Sequence, residues 1–249
     1  MKNQRKRAVS ISCVIGKRSI HELLKHKPEK IKALWITRQG QEDPLVKEAQ
    51  LLNIPLVIKG RDELTQAADS DSHQGFLAET LSRAYSSLDE IISRARRQES
   101  CLILVLDSIT DPHNLGALLR AAECFGVDAV LWSKNRGASV TPVVTKTSVG
   151  ATELLPIILV SNLAESIRKL QKEGFWVSTT ELCEGATSLE EASFPLFHAI
   201  IMGSEGEGVQ PLLSKMADQK IYIPMIGKIG SLNVSQAAAV VLSKNRVLK

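Results

Sequence analysis

Short continuous apolar runs and helically spaced apolar positions take turns along this chain. In residues 16–80, Ile20, Leu23 and Leu24 share a helical face and Ile31 to Thr37 reads as a strand. Val46, Ala49 and Leu52 return to helical spacing, and Leu56 to Ile58 is a short strand after Pro55. This predicts a compact αβ module of about 80 residues. From Glu79 to Ser100 the sequence turns polar and charged around one weak amphipathic stretch, Leu88 to Ile92, and reads as a connector. The expected layout is residues 1–78 as a first domain, 79–98 as a linker and 99–249 as a second domain.

The second half opens with Cys101 to Leu106, apolar throughout, as a strand buried on both faces requires. Asp128 to Trp132, Pro156 to Val160, Phe175 to Thr179, His198 to Met202 and Ile221 to Ile223 are further short apolar segments. Helical patterns separate them at Leu115 to Phe125, Leu163 to Gln171 and Val234 to Leu242. Alternation of this kind predicts an α/β domain with a parallel sheet sandwiched by helices. Ligands of such sheets bind beyond the carboxyl ends of the strands, so the loops after these runs are the places to look for chemistry.

Composition adds a bias in charge. Residues 1–78 hold 14 Lys/Arg against 9 Asp/Glu, whereas the remainder is nearly balanced with 17 against 18. A basic first module, with Lys2, Arg5, Lys6 and Arg7 ahead of it, suits a polyanionic partner such as RNA, although a solvated basic surface fits equally well. No apolar run approaches the roughly 20 residues of a membrane span, and the N-terminus lacks a secretory pattern, so a cytoplasmic protein is expected. Cys13, Cys101, Cys124 and Cys183 form no Cys-x-x-Cys pair and read as buried free thiols. The five histidines show no ligand spacing, so no metal site is expected.

Three loops carry candidate chemistry. In the first, Asp107 to Gly116, Asn114 precedes Arg120 by six residues, which places them about 120° apart on a helix. Both reach one site if Asn114 lies at the N-cap; otherwise Asn114 only caps and Arg120 pairs with Glu123. The second loop carries Gly203, Gly206 and Gly208, where backbone can approach a ligand, together with Glu205 and Glu207. It matches neither a dinucleotide fingerprint nor a P-loop, and its carboxylates disfavour a phosphate cradle. In the third, Ile223 to Ser235, either Ser231 or Asn233 can cap the small-residue helix that follows, but not both.

Taken together, Asp111-Pro112-His113-Asn114-Leu115-Gly116 with Arg120, Gly203-Ser204-Glu205-Gly206-Glu207-Gly208, and Ile223-Pro224-Met225 with Ser231-Leu232-Asn233-Val234-Ser235 resemble the three motifs of the SpoU (TrmH-like) branch of the SPOUT RNA 2′-O-ribose methyltransferases. The resemblance covers residues 101–246, and the first domain with His73-Gln74-Gly75 is similar to the family's small ribosomal-protein-like substrate-binding domain.

The resemblance implies a deep trefoil knot, an exception to the rule that chains do not thread loops. It implies S-adenosylmethionine as cofactor, held by Gly203, Gly208, Ile223, Met225 and Leu232, and a homodimer in which one subunit completes the other's site. It implies Asn114, Arg120, Glu205, Ser231 and Asn233 as catalytic residues. A guanidinium is essentially never deprotonated in proteins, so Arg120 is expected to stabilise charge rather than act as base. The implied substrate is a guanosine of 23S ribosomal RNA; the alternatives are a transfer-RNA guanosine, an adenosine of the same ribosomal subunit, or a non-catalytic RNA-binding assembly factor.

Overall fold

A computed structural model describes residues 12–247 and divides the chain into two compact units. The basic residues Lys2, Arg5, Lys6 and Arg7 lie outside the described residues. The first unit begins with β1 (Cys13–Ile15), α1 (Lys17–His26), β2 (Ile31–Ile36), α2 (Pro44–Leu51), β3 (Leu56–Ile58), α3 (Arg61–Ala68) and β4 (Phe76–Thr80). Its strands lie in the order β1-β4-β2-β3, with β2 and β3 parallel and both β1 and β2 antiparallel to β4. Alternation along β1 explains the layering. Val14 joins Ile20, Leu23, Leu45 and Val46 on one face, while Cys13 and Ile15 join Leu64 and Ala68 on the other.

Helix α4 (Leu88–Ala95) falls within the stretch read from sequence as a connector. Ser87 and Glu90 form a capping box, in which Ser87 Oγ accepts from Glu90 N at 3.2 Å and Glu90 Oε2 accepts from Ser87 N at 2.8 Å. Leu88, Ile91, Ile92 and Ala95 then share one face and are buried in the core of the second unit. The second unit continues with β5 (Cys101–Leu106), α5 (Pro112–Cys124) and β6 (Ala129–Ser133). The chain next returns to the first unit for α6 (Pro142–Thr147) and α7 (Ala151–Leu154), where buried Glu153 pairs with Arg83.

The second unit resumes at β7 (Ile157–Val160), followed by α8 (Leu163–Lys172), β8 (Trp176–Thr180), β9 (Thr187–Ser188), β10 (Phe197–Met202), α9 (Pro211–Met216), β11 (Gln219–Tyr222) and α10 (Val234–Val247). Its seven strands form a parallel sheet in the order β7-β6-β5-β10-β8-β11-β9. Cys101, Ile103 and Val105 of β5 face the cluster built with α4, α8 and α9. Leu102, Leu104 and Leu106 are buried as well, which is why the run reads as apolar throughout. Helices α5 and α10 pack against each other, and α10 is tied to the sheet where Asn245 hydrogen-bonds His198 of β10 at 3.2 Å.

The strand order positions the site. Strands β5 and β10 are adjacent, and from them the sheet grows in opposite directions, through β6 and β7 one way and through β8 and β11 the other. A crevice opens beyond the carboxyl ends at such a switch point. The loops after β5, β10, β8 and β11 therefore emerge side by side. Among the described residues, no helix is long and apolar enough to cross a membrane.

Candidate active site

The loop after β5 is held before it enters α5. Asp107 is fully buried, and its Oδ2 accepts from Gln210 N at 2.7 Å while Oδ1 accepts from Gln210 Nε2 at 2.5 Å and from Ser108 Oγ at 3.0 Å. Three donors offset the cost of burying that carboxylate. They also fasten the first candidate loop to the end of the second. Sequence reading passed over this clamp; the only local signal is an acidic residue ending an otherwise apolar strand.

Asp111, not Asn114, caps α5: its carboxylate accepts from His113 N at 2.9 Å, and Pro112 occupies the first helical position. Asn114 lies in the first turn, half-buried and free to use its amide elsewhere. Arg120 is exposed on the same helix, with no hydrogen bond or ion pair to Glu123 or to any other described residue.

The glycine loop is a tight hairpin. Ser204 N donates to Gly208 O at 3.1 Å and Gly208 N donates back to Ser204 O at 3.0 Å. A Cβ on Gly203 would overlap the Gly208 carbonyl group, so Gly203 is required by the loop's own closure rather than by a ligand's approach. Gly206 and Gly208 have φ of 90° and 68°, a left-handed conformation that favours glycine. The hairpin lifts Glu205 to the N-terminus of α10, where Glu205 Oε1 accepts from Val234 N at 3.3 Å. A carboxylate is favourable there because the helix dipole presents positive partial charge.

Asn233 settles the capping question for the third loop. Its Oδ1 accepts from Ser235 N at 2.9 Å and Ser235 Oγ at 2.6 Å, which turns Nδ2 outward to donate to Asn114 Oδ1 at 2.9 Å and to Glu205 Oε1. One amide thus joins all three loops. Ser231 is exposed and makes no hydrogen bond among the described residues.

Beside this cluster lies a cavity of about 750 Å³, lined by Gly203, Gly208, Ile223, Met225, Ser231 and Leu232 among others. Glu205 also lines it, whereas Asn114, Asn233 and Arg120 do not. Glu181 on its wall was missed from sequence. Its two carboxylate oxygens accept from Thr179 Oγ1 at 2.5 Å and Ser214 Oγ at 3.0 Å. Cys124 and Cys183 are exposed, not buried as expected; Cys13 and Cys101 are buried, and burial pushes the Cys13 thiol up to about 11. Among the described residues, no group of three or more His, Cys, Asp or Glu is placed to hold a metal ion.

Residues 101–243 match the model of the SpoU rRNA Methylase family. The chain belongs to that family. Residues 13–86 match the model described as RNA 2′-O ribose methyltransferase substrate binding. SpoU relatives include the 23S rRNA (guanosine-2′-O-)-methyltransferase RlmB of Shewanella oneidensis, 37% identical over 92% of this chain and 94% of the relative. The enzyme of that name from Coxiella burnetii is also 37% identical, over 93% of this chain and 94% of its own length. Among solved structures, the SpoU methyltransferase AviRb of Streptomyces viridochromogenes, crystallised with AdoMet, has a TM-score of 0.77 at 21% identity, covering 100% of this chain and 94% of that one. An AdoMet-bound rRNA methyltransferase from Sinorhizobium meliloti has a TM-score of 0.75 at 22% identity, covering 96% and 88%. At these identities the two structures speak to the fold.

Proposed function

We propose that the protein transfers a methyl group from S-adenosylmethionine to a ribose 2′-hydroxyl of RNA, with a guanosine of 23S ribosomal RNA as its substrate. The observation that carries this reading is the joining of Asn114, Glu205 and Asn233 through one amide beside a cavity that Glu205 helps to line, at the sheet's switch point. Similarity to RlmB enzymes along nearly the whole chain supports the choice of RNA and nucleotide.

The cavity fits the cofactor by size and lining. Drug-sized and cofactor ligands occupy roughly 300–1,000 Å³, in mostly apolar walls with a few polar groups. Ile223, Met225 and Leu232 supply apolar surface for an adenine, and Gly203, Gly206 and Gly208 bring the loop backbone to the wall. When bound, S-adenosylmethionine supplies an activated methyl on a sulfonium whose departure leaves a neutral thioether. The chain's own residues align the ribose and manage charge. The Arg120 guanidinium stabilises both the neighbouring phosphate and the alkoxide charge that develops at the 2′-oxygen. Asn114, Glu205, Asn233 and Ser231 orient ribose and cofactor.

The protein acts as a homodimer with a shared site, in this reading. Arg120 is exposed on α5 and does not line its own subunit's cavity, which is what a residue serving the partner's cavity requires. The knot implied by the family gathers the second and third loops, and the cytoplasm is the compartment where ribosomal RNA is met. The test is transfer of labelled methyl from S-adenosylmethionine to protein-free 23S RNA by the purified protein, followed by nuclease digestion. Label in 2′-O-methylguanosine is expected. Absence of transfer despite RNA binding would favour an assembly factor.

A further inference from the structure

The first unit has a cavity of its own, about 740 Å³, that the proposed chemistry leaves unused. Its position follows from the sheet. Because β1, β2 and β3 all run antiparallel to β4 or parallel to one that does, their carboxyl ends lie on one edge with the start of β4. The segments leaving that edge are Gly16-Lys17, Thr37-Arg38-Gln39 and Lys59-Gly60-Arg61, and Gln74-Gly75 enters it. Helices α1 and α3 both begin there.

The edge is built and charged. Thr37 N donates to Gly75 O at 3.0 Å, and Lys17 N donates to Gln74 Oε1 at 3.2 Å, so the loops are fastened to each other. A Cβ on Gly75, which has φ of 82°, would come within 2.9 Å of Thr37 Oγ1. Lys17 is held by Asp43 at 2.5 Å and lies 5.0 Å from the centre of the Phe76 ring; Lys59 is held by Glu63 at 2.8 Å. The carboxyls of Asp43 and Glu63 stand below their ordinary values. Burial opposes this at Asp43, but hydrogen bonds from Lys17 and Leu45 N outweigh it; at Glu63 the hydrogen bonds from Lys59 and Gly60 N dominate. The two lysines are therefore already committed. Arg38 and Arg61 are not: both line the cavity, both are exposed, and neither has a hydrogen bond or ion pair among the described residues. Two uncommitted guanidiniums suit two phosphates, the exposed amide of Gln39 offers a donor and an acceptor to a base edge, and that of Gln74, whose oxygen is engaged by Lys17 N, offers its NH2 as donor.

We propose that this crevice binds one unpaired nucleotide of the RNA substrate, its flanking phosphates on Arg38 and Arg61 and its base edge on Gln39 and Gln74. The inference rests on the reading that the protein acts on RNA. An unpaired nucleotide fits better than a duplex because its base edge is open to side chains, whereas a duplex offers mainly backbone and a shallow groove.

The test uses the full-length protein and fluorescently labelled RNA, either a mixed-sequence single strand of about 12 nucleotides or the duplex of the same length. Arg38→Ala with Arg61→Ala is expected to weaken single-strand binding by roughly tenfold or more and to flatten the plot of log affinity against log salt by about 1.4, the value for two lost phosphate contacts. Removing two exposed cations of the second unit, Arg97→Ala with Lys172→Ala, is expected to change single-strand affinity by less than about twofold. Duplex affinity should fall less than single-strand affinity in the first variant. Unchanged thermal unfolding shows that the variant folds, and S-adenosylmethionine titration on the same samples keeps the two readings apart. If the parent binds cofactor and single strand but the Arg38/Arg61 variant binds the strand as the parent does, or loses no more than the control pair, this inference is overturned while the proposed function stands. A parent that binds neither overturns both.

Discussion

Asn233 donates its amide to Asn114 across 2.9 Å while the same side chain caps α10 through Ser235 N at 2.9 Å. Capping and bridging are separable because they use opposite ends of the amide. Asn233→Ser keeps an oxygen that can cap but removes the donor to Asn114 and Glu205; Asn233→Ala removes both. The serine variant should unfold close to wild type yet lose tenfold or more in methyl transfer, on the order of the 1.4 kcal/mol that corresponds to a factor of ten. The alanine variant should in addition lose about 1 kcal/mol of stability. Wild-type turnover in the serine variant would reduce the cluster to a helix cap.

Among the described residues Arg120 has no hydrogen-bond or ion-pair partner, so its removal is a clean test of role. Arg120→Ala should bind S-adenosylmethionine with unchanged affinity and unfold as wild type, while kcat falls by at least about 100-fold. Arg120→Lys should recover only part of the rate, because an ammonium supplies the charge but not the planar pair of donors. Calorimetry and single-turnover assays on the same samples read both quantities. Weakened cofactor binding in Arg120→Ala would show that the residue serves the cavity and not the acceptor ribose.

Gly203 is fixed by its own loop. Gly203→Ala forces the Gly208 peptide to move, at a cost of about 1–3 kcal/mol typical of overpacking, and should open the hairpin that carries Glu205. Both lower unfolding temperature and weaker S-adenosylmethionine binding are expected. An alanine variant with native affinity would mean that the hairpin can shift without disturbing the cavity.

His73 gives the first unit a pH dependence. Burial, reinforced by the nearby charge of Arg61, holds its pKa below the ordinary 6.5, and its Nδ1 accepts from Gly75 N at 3.0 Å. The unfolded chain therefore binds a proton that the folded chain refuses. Its contribution is complete above about pH 6.5 and is lost as pH falls toward the folded value. Urea unfolding at about pH 7.5 and about pH 5.5 should show a larger loss for wild type than for His73→Gln. Equal losses would remove His73 from the account.

Much of this was written locally in the sequence. The six buried residues of β5 and the alternation with helices announce a parallel sheet, and the Asp-Pro pair that caps α5 is a standard start signal whose consequence is that Asn114 is spared for other work. Other features were out of reach of local pattern. Strand β1 is short and owes its existence to pairing with β4 across more than 60 residues. The return of Thr141–Leu154 to the first unit depends on partners such as Arg83, and the Asp107–Gln210 clamp joins residues 103 apart. Periodicity sees neighbours along one element; it carries no signal for which loops a sheet will set side by side. Ser231 and Arg120 were singled out through family resemblance, and both side chains are exposed and make no hydrogen bond among the described residues.

The central claim is ribose methylation of 23S RNA through Arg120. Mapping 2′-O-methyl positions in the ribosomal RNA of cells with the gene, without it, and carrying only the Arg120→Ala form tests it most directly. The account predicts that one guanosine of 23S RNA loses its ribose methyl in the deletion, regains it with the wild-type gene and stays unmethylated with Arg120→Ala. An unchanged map in the deletion, or full methylation restored by Arg120→Ala, would contradict it.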